Sequence, residues 1–195
     1  MMVTGGDAFT DGTTTVITDG TPPPEPSQAT GPVNSPTGAQ AQQQSGEGSQ
    51  ANLARRAAIA AAARADEGDT SMPYTPGHPT CNLFVQRDVA KSGAPKPELK
   101  KHDGTMGAPG AAEWAGSKIP LWRFLKPGEA IQPGDIAARK ENFLDATGHS
   151  GIVVSVSKSG VVTVMAAHPT VIGKDMTFQP GSRVYHNVFR RYTGD

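Results

Sequence analysis

The pattern of apolar and polar positions predicts two helices near the middle of this 195-residue chain. The segment from Ser49 to Glu67 is rich in Ala, Leu and Arg, with Ser49 available as an N-cap and Gly68 as a stop, and this pattern is typical of a helix. A second helix is predicted from about Cys81 to Ser92, because its apolar residues form one stripe and Gly93 follows them.

The last third of the chain predicts strands. A Gly-, Pro- and Lys-rich stretch, 94–118, comes first and predicts a loop with a short helix near 111–114. β-Branched and apolar residues then dominate four runs, at 136–139, 151–157, 161–167 and 184–192. The second and third runs are joined by a short turn, so they predict an antiparallel hairpin. Helices followed by antiparallel strands indicate an α+β fold, in which the N-terminal helices pack on a central antiparallel sheet.

The first 48 residues differ from the rest in composition. They contain Phe9 as their only aromatic residue and consist mostly of Gly, Pro, Ser, Thr, Gln and Ala. Such a segment cannot bury enough apolar surface to offset roughly 1–2 kcal/mol of backbone entropy per residue. We therefore predict a disordered tail and linker over 1–48 and a single folded domain over 49–195.

The charge of the chain is unevenly distributed. All 18 Lys and Arg residues lie at or after Arg55, whereas five of the 18 acidic residues precede it, so the part from Arg55 onward carries a net charge of +5. This mildly basic balance suits an anionic substrate or surface but falls short of a nucleic-acid-binding footprint. The first 30 residues lack the features of a secretory signal, and the longest apolar stretch, 57–63, is too short to span a bilayer. We expect synthesis in the cytoplasm and no membrane insertion.

The cysteine and histidine content limits the chemistry. The single cysteine, Cys81, excludes an intramolecular disulfide framework and a Cys-rich zinc site. The five His residues have no partnering carboxylates at metal-ligand spacing. We expect neither a metal nor another cofactor. Asp135, in the turn before the first predicted strand, is interpreted as a turn residue and not as a catalytic acid.

Three residues predict a nucleophilic site. Cys81 is expected at the N-terminus of a helix, where unpaired backbone N–H groups and the helix dipole stabilise a thiolate. His149 precedes a predicted strand and is flanked by small residues, which suits a general base. His168 closes the next strand of the hairpin, so it is expected beside His149. Together these residues predict a Cys-His-His triad, with Asp175 or another polar neighbour as the alternative to His168 at the third position.

Four short blocks resemble the NlpC/P60 and CHAP superfamily of papain-like cysteine hydrolases, in order and in rough spacing. They are Pro73-Tyr74-Thr75-Pro76-Gly77, Thr80-Cys81-Asn82-Leu83-Phe84-Val85, Gln132-Pro133-Gly134-Asp135-Ile136 and Gly148-His149-Ser150-Gly151-Ile152-Val153. The resemblance covers about residues 50–195 and implies a papain-like fold. It implies Cys81 as nucleophile, His149 as base, His168 as the residue that orients the base, and Tyr74 as a residue that shapes the oxyanion and substrate pocket. The chain departs from the family in having His78-Pro79 where a second glycine is usual, and Ala166-Ala167 just ahead of the third position.

The resemblance also implies a substrate and a setting. Members of the superfamily cleave amide bonds in peptidoglycan, which makes a peptidoglycan stem peptide the expected substrate. A wall amidase without a signal and with a low-complexity front end resembles an antibacterial effector of a type VI secretion apparatus, or a phage lysin. Such an effector would act in the periplasm of a target cell, with a secretion carrier and an immunity protein as partners. Two alternatives stay open from the sequence: a cysteine peptidase or deamidase toxin acting on a cytosolic protein, and a binding module without catalytic activity.

Overall fold

The computed structural model describes residues 48–78 and 80–195 of the chain. The predicted tail therefore lies, apart from Gly48, outside the described residues, and the division at residue 48 stays a prediction. Three helices occur in the described part, α1 (Gln50–Ala65), α2 (Cys81–Lys91) and α3 (Ala111–Gly116).

The predicted helix starts are confirmed, and α1 and α2 end two residues and one residue before the predicted ends. The Ser49 hydroxyl accepts a hydrogen bond from the backbone N–H of Asn52 at 3.0 Å, which makes it the N-cap of α1. Gly68 and Gly93, just beyond α1 and α2, have φ angles of +88° and +78°. Glycine adopts such left-handed backbone at little cost, and this explains why both helices end there.

Eight strands lie in the described part, in two antiparallel sheets. They are β1 (Leu99–Lys100), β2 (Met106–Gly107), β3 (Trp122–Phe124), β4 (Ile136–Lys140), β5 (Gly148–Val156), β6 (Val162–Ala167), β7 (Ile172–Asp175) and β8 (Val188–Tyr192). β1 and β2 pair with each other, and the other six form one sheet in the order β3-β8-β4-β5-β6-β7. The prediction of an α+β fold with helices and an antiparallel sheet is confirmed.

The sequence pattern missed the short strands. β1, β2 and β3 have two or three residues each and lie in or just after the predicted loop. β7 contains a glycine and a lysine and shows no alternation of apolar and polar residues. These strands form because a neighbouring strand supplies hydrogen-bond partners and not because of local propensity.

The central strand β5 is buried on both faces. Ile152 and Val154 belong to the apolar cluster that includes Ile59 of α1 and Phe84 of α2. Val153 points the other way, into a second cluster that also contains Phe178 of the segment after β7. The two clusters fix β5 between the helices and that segment, and so fix the position of its first residues.

A buried charge cluster joins α1 to the sheet. The Asp135 carboxylate is fully buried and accepts hydrogen bonds from Arg191 Nε at 3.0 Å and Nη2 at 2.8 Å, and from Arg56 Nη2 at 3.3 Å. The Asp135 backbone N–H also donates to the Gln132 carbonyl at 3.1 Å, which closes the predicted turn. The contacts of Asp135 are therefore structural. No helix within 48–78 or 80–195 is long and apolar enough to cross a membrane.

Candidate active site

Cys81 is the first residue of α2 and is 7% exposed. The first N–H groups of a helix have no partner within the helix, so this end carries a partial positive charge. Helix α2 packs against β5, which carries His149 as its second residue. The packing of α2 on the sheet therefore brings the sulfur to the imidazole.

The surroundings of Cys81 favour a thiolate. Burial raises the pKa of the Cys81 thiol, but hydrogen bonding to His149 and the positive charge of His149 lower it, as does the neighbouring Ser150. The net result is a pKa below the ordinary value for cysteine. Ser150 is fully buried, and its sequence context predicted no role for it in the site.

The surroundings of His149 favour an imidazolium. Burial lowers the pKa of His149, but hydrogen bonds to Asp175 and Cys81, together with the negative charges of both groups, raise it to about 9. The two shifts are complementary, since each charge of a thiolate–imidazolium pair stabilises the other.

The group that orients His149 is Asp175, the last residue of β7. Asp175 Oδ2 lies 3.2 Å from His149 Nε2, and both side chains are largely buried. Burial alone would raise the pKa of the Asp175 carboxyl, but hydrogen bonds from His149 and from Thr177 hold it well below its usual range. An ionised carboxylate at Nε2 leaves Nδ1 as the nitrogen available to the Cys81 sulfur.

His168, the residue predicted for the third position, lies nearby without pairing to His149. The two ring centroids are 6.0 Å apart, and the described part of the chain shows no hydrogen bond between the imidazoles. The structure thus brings the predicted His149 and His168 together as neighbours, while the hydrogen-bonded partner of His149 is Asp175.

The strand register explains why the sequence favoured His168 and offered Asp175 only as the alternative. Val153 of β5 pairs with Val164 of β6, and Val164 pairs with Asp175 of β7. Asp175 is therefore two strands away from β5. Along the strand direction it lies opposite Val153, which is four residues after His149. In a flat sheet that offset would separate the Cα atoms by roughly 16 Å. Only a twisted and coiled sheet brings the two side chains into contact, and no local pattern encodes that curvature.

A cavity of about 700 Å³ opens beside these residues. Both Cys81 and His149 line it, as do Asp175 and His168. Several other lining residues are apolar or aromatic: Tyr74, Phe143, Ala146, Ala167, Pro169 and Met176. A mostly apolar cleft with a few convergent polar groups is typical of a site for a small molecule or a short peptide segment.

Tyr74 forms one wall of the cavity. Its hydroxyl donates to the Asp145 carboxylate, and its backbone N–H donates to the Pro169 carbonyl at 2.9 Å. The same Asp145 oxygen accepts the backbone N–H of Gly77 at 3.0 Å. Asp145 therefore joins the segment that enters α2 to the loop between β4 and β5. The sequence did not predict this contact, because Asp145 lies in no recognisable motif.

The arrangement can supply a cysteine nucleophile, a base beside it and a carboxylate that orients the base. Within residues 48–78 and 80–195, no group of three or more His, Cys, Asp or Glu side chains is placed to hold a metal ion. Comparison of the chain with protein-family models, with curated proteins and with solved structures finds no match in any of the three.

Proposed function

We propose that this protein is a cysteine hydrolase that cleaves amide bonds, with Cys81 as nucleophile, His149 as general base and acid, and Asp175 as the residue that orients His149. The observation that carries the proposal is the 3.2 Å contact between His149 Nε2 and Asp175 Oδ2. The imidazole held by this contact is also the group that lowers the pKa of the Cys81 thiol. The three side chains meet in one cavity and come from α2, β5 and β7.

Acylation begins with the thiolate–imidazolium pair. The Cys81 sulfur attacks the amide carbonyl carbon, a C–S bond forms, and the carbonyl oxygen becomes an oxyanion. When this intermediate collapses, the C–N bond breaks and the imidazolium of His149 gives its proton to the leaving nitrogen. The products are a free amine and a thioester on Cys81.

Deacylation uses the same groups in the opposite sense. Neutral His149 takes a proton from water, and the resulting hydroxide adds to the thioester carbonyl. The C–S bond then breaks, the acid is released, and the thiolate–imidazolium pair forms again. Asp175 stays ionised throughout and stabilises the imidazolium at each step at which it appears.

The backbone N–H of Cys81 is the oxyanion donor that we assign. It lies at the N-terminus of α2, where N–H groups lack partners within the helix and the dipole favours negative charge. The Tyr74 hydroxyl, which the family resemblance favours for the oxyanion site, is bonded to Asp145. We therefore assign Tyr74 to the wall of the substrate cleft.

For the substrate we propose the peptide part of peptidoglycan. The resemblance to NlpC/P60 and CHAP hydrolases supports this choice, as does the net charge of +5 from Arg55 onward, since the bacterial wall is anionic. The α2–β5 packing that joins Cys81 to His149 is also the layout expected of a papain-like hydrolase. A role as a secreted antibacterial effector follows as part of the same proposal.

Digestion of purified sacculi tests the proposal. The wild-type protein should release fragments with new free amines, identified by mass spectrometry, and Cys81→Ser and His149→Ala should release none. His102→Ala is the matched control, because His102 is exposed in the β1–β2 turn and far in sequence from all three catalytic positions. Intact sacculi after treatment with a folded wild-type protein would contradict the peptidoglycan assignment.

A second experiment tests the compartment. Expression with a periplasmic export signal should lyse the host, whereas the same chain in the cytoplasm should be harmless, because peptidoglycan is absent there. Cys81→Ser should abolish lysis in the exported form. Toxicity of the cytoplasmic form that requires Cys81 would instead favour a cytosolic protein as substrate.

A further inference from the structure

A buried arginine lies beside the proposed triad and lines the same cavity. Arg139 of β4 is the register partner of His149 on β5, and its side chain is 7% exposed. The guanidinium carbon lies 4.5 Å from the centroid of the Phe178 ring and 4.2 Å from that of Tyr185. Its Nε donates to Glu141 at 2.9 Å. Two rings and a carboxylate thus hold the guanidinium in one orientation.

The contact between Arg139 and Thr177 fixes the direction of a hydrogen-bond chain. Arg139 Nη1 lies 2.6 Å from Thr177 Oγ1, and a guanidinium can only donate, so the threonine oxygen accepts there. The one hydroxyl proton of Thr177 is then free to donate to Asp175 Oδ1, 2.5 Å away. The Thr177 backbone N–H donates to the same oxygen at 2.7 Å.

The second route from Arg139 to His149 passes through an aromatic ring. Phe178 stacks on the His149 imidazole, with centroids 5.5 Å apart and an angle of 25° between the planes. Phe178 is fully buried and also contacts the guanidinium of Arg139. The ring is therefore held between a fixed cation and the imidazole.

We propose that Arg139 is a positioning residue for the site, which aims the Thr177 hydroxyl at Asp175 and holds Phe178 against His149, and so keeps the imidazole aligned with Cys81. The inference rests on the proposed function for its consequence in catalysis. The effect of Arg139 on the thiolate–imidazolium pair is argued from the contacts above alone, because that pair exists without substrate. Arg139 also lines the cavity, but its side-chain contacts within the described residues join it to the imidazole only through these neighbours.

Other charged and titratable groups face the same cavity and have to be considered in any pH measurement. They come from α2, the segment before it, the β4–β5 loop, the β6–β7 connection and β7: Cys81, Tyr74, Asp145, His168 and Lys174. The substitutions below leave all of them in place, so a change in the pH profile reports on the Arg139–Thr177–Asp175 chain.

The pH dependence of Cys81 alkylation by iodoacetamide tests the proposal without any substrate. Thr177→Val removes the hydroxyl but keeps the shape, whereas Thr177→Ser keeps the hydroxyl. With Thr177→Val we expect the rise of the alkylation rate with pH to occur about one pH unit higher than in the wild type. At a fixed pH below that rise, the rate should be about tenfold lower. Thr177→Ser should behave like the wild type. Arg139→Lys keeps a charge but loses the planar fork, and it should show the same shift as Thr177→Val.

The expected set of results is a shift for Thr177→Val and Arg139→Lys and no shift for Thr177→Ser or for the surface control His102→Ala. Thr177 is exposed, so Thr177→Val carries the test even if Arg139→Lys fails to fold. Identical profiles for wild type and Thr177→Val would overturn the proposal. The proposal would also be overturned if Arg139→Lys had a wild-type alkylation profile but a raised KM for amide cleavage, because Arg139 would then be a substrate contact. If the alkylation shift is observed but the wild-type protein cleaves no amide, only the proposed function is contradicted.

Discussion

His149 Nε2 lies 3.2 Å from Asp175 Oδ2, and this contact decides how the imidazole faces the cysteine. With Nε2 held by a carboxylate, Nδ1 is left for the sulfur, and the imidazolium has a negative neighbour on each side. The raised pKa of His149, about 9, and the lowered pKa of the Cys81 thiol are two results of the same arrangement.

Substitutions at Asp175 and His168 should have different effects. Asp175→Ala removes the partner of His149 Nε2, and we expect kcat/KM for amide cleavage to fall on the order of 10²-fold or more. His168→Ala leaves that contact intact, and we expect a loss of less than about tenfold. Steady-state kinetics of both variants, with circular dichroism to verify folding, check the assignment. Equal losses for the two variants would restore His168 as a member of the triad.

The reactivity of Cys81 should extend well below the pH range of an ordinary thiol. Below its lowered pKa the thiolate is protonated and alkylation slows, but from there up to about pH 9 the thiolate–imidazolium pair persists and iodoacetamide should react readily. In His149→Ala, burial is no longer offset by the imidazolium, so the acid limb should move to higher pH. The rate of iodoacetamide incorporation from pH 4 to 10 measures this. A wild-type profile that matches a free cysteine peptide would mean that Cys81 is not activated.

The Asp145 contacts should affect substrate binding more than turnover. Asp145 accepts from the Tyr74 hydroxyl and the Gly77 N–H and holds one wall of the cleft, away from the reacting atoms. Loss of one such bond costs on the order of 1 kcal/mol, so Tyr74→Phe should raise KM about fivefold and leave kcat within about twofold. Asp145→Asn, which keeps an acceptor oxygen, should have a smaller effect. A large fall in kcat for Tyr74→Phe would instead return its hydroxyl to the oxyanion site.

Stability should depend on pH through Asp88 of α2. Its side chain is fully buried, and burial raises its pKa to about 6, with the Asp66 carboxylate adding to the effect and Arg87 opposing it. The folded state therefore binds more protons than the unfolded state between about pH 4 and 6, and the contribution of Asp88 to stability falls as pH rises through that window.

Asp88→Asn mimics the protonated carboxyl at every pH. Relative to the wild type, we expect this variant to gain stability between pH 4 and 7, on the order of 2–3 kcal/mol, as the buried wild-type carboxyl ionises. Urea unfolding at both pH values measures the difference. Glu98→Gln, which removes a partly exposed carboxylate, is the control and should show no comparable change. An Asp88→Asn difference that is constant with pH would disprove the linkage.

The sequence by itself determined the helices and strands that have strong local patterns. It also determined which ends of these elements carry the nucleophile and the base. Ser49 and Gly68 bracket α1 because capping and left-handed glycine depend on neighbouring residues alone. For the same reason Cys81 was predicted at the start of α2, and His149 at the start of a β-branched strand. A family resemblance built on these short blocks could place a nucleophile and a base, since both lie inside the blocks that carry it.

The tertiary structure decided the third residue and everything that supports it. Asp175 ends a strand with no apolar alternation, two strands away from β5, and reaches His149 only because the sheet curls. The Arg139–Thr177 chain and the stacking of Phe178 likewise join residues up to 38 positions apart. Contacts of this kind depend on sheet curvature and packing, which are properties of the whole domain, and so no local pattern in the sequence could specify them.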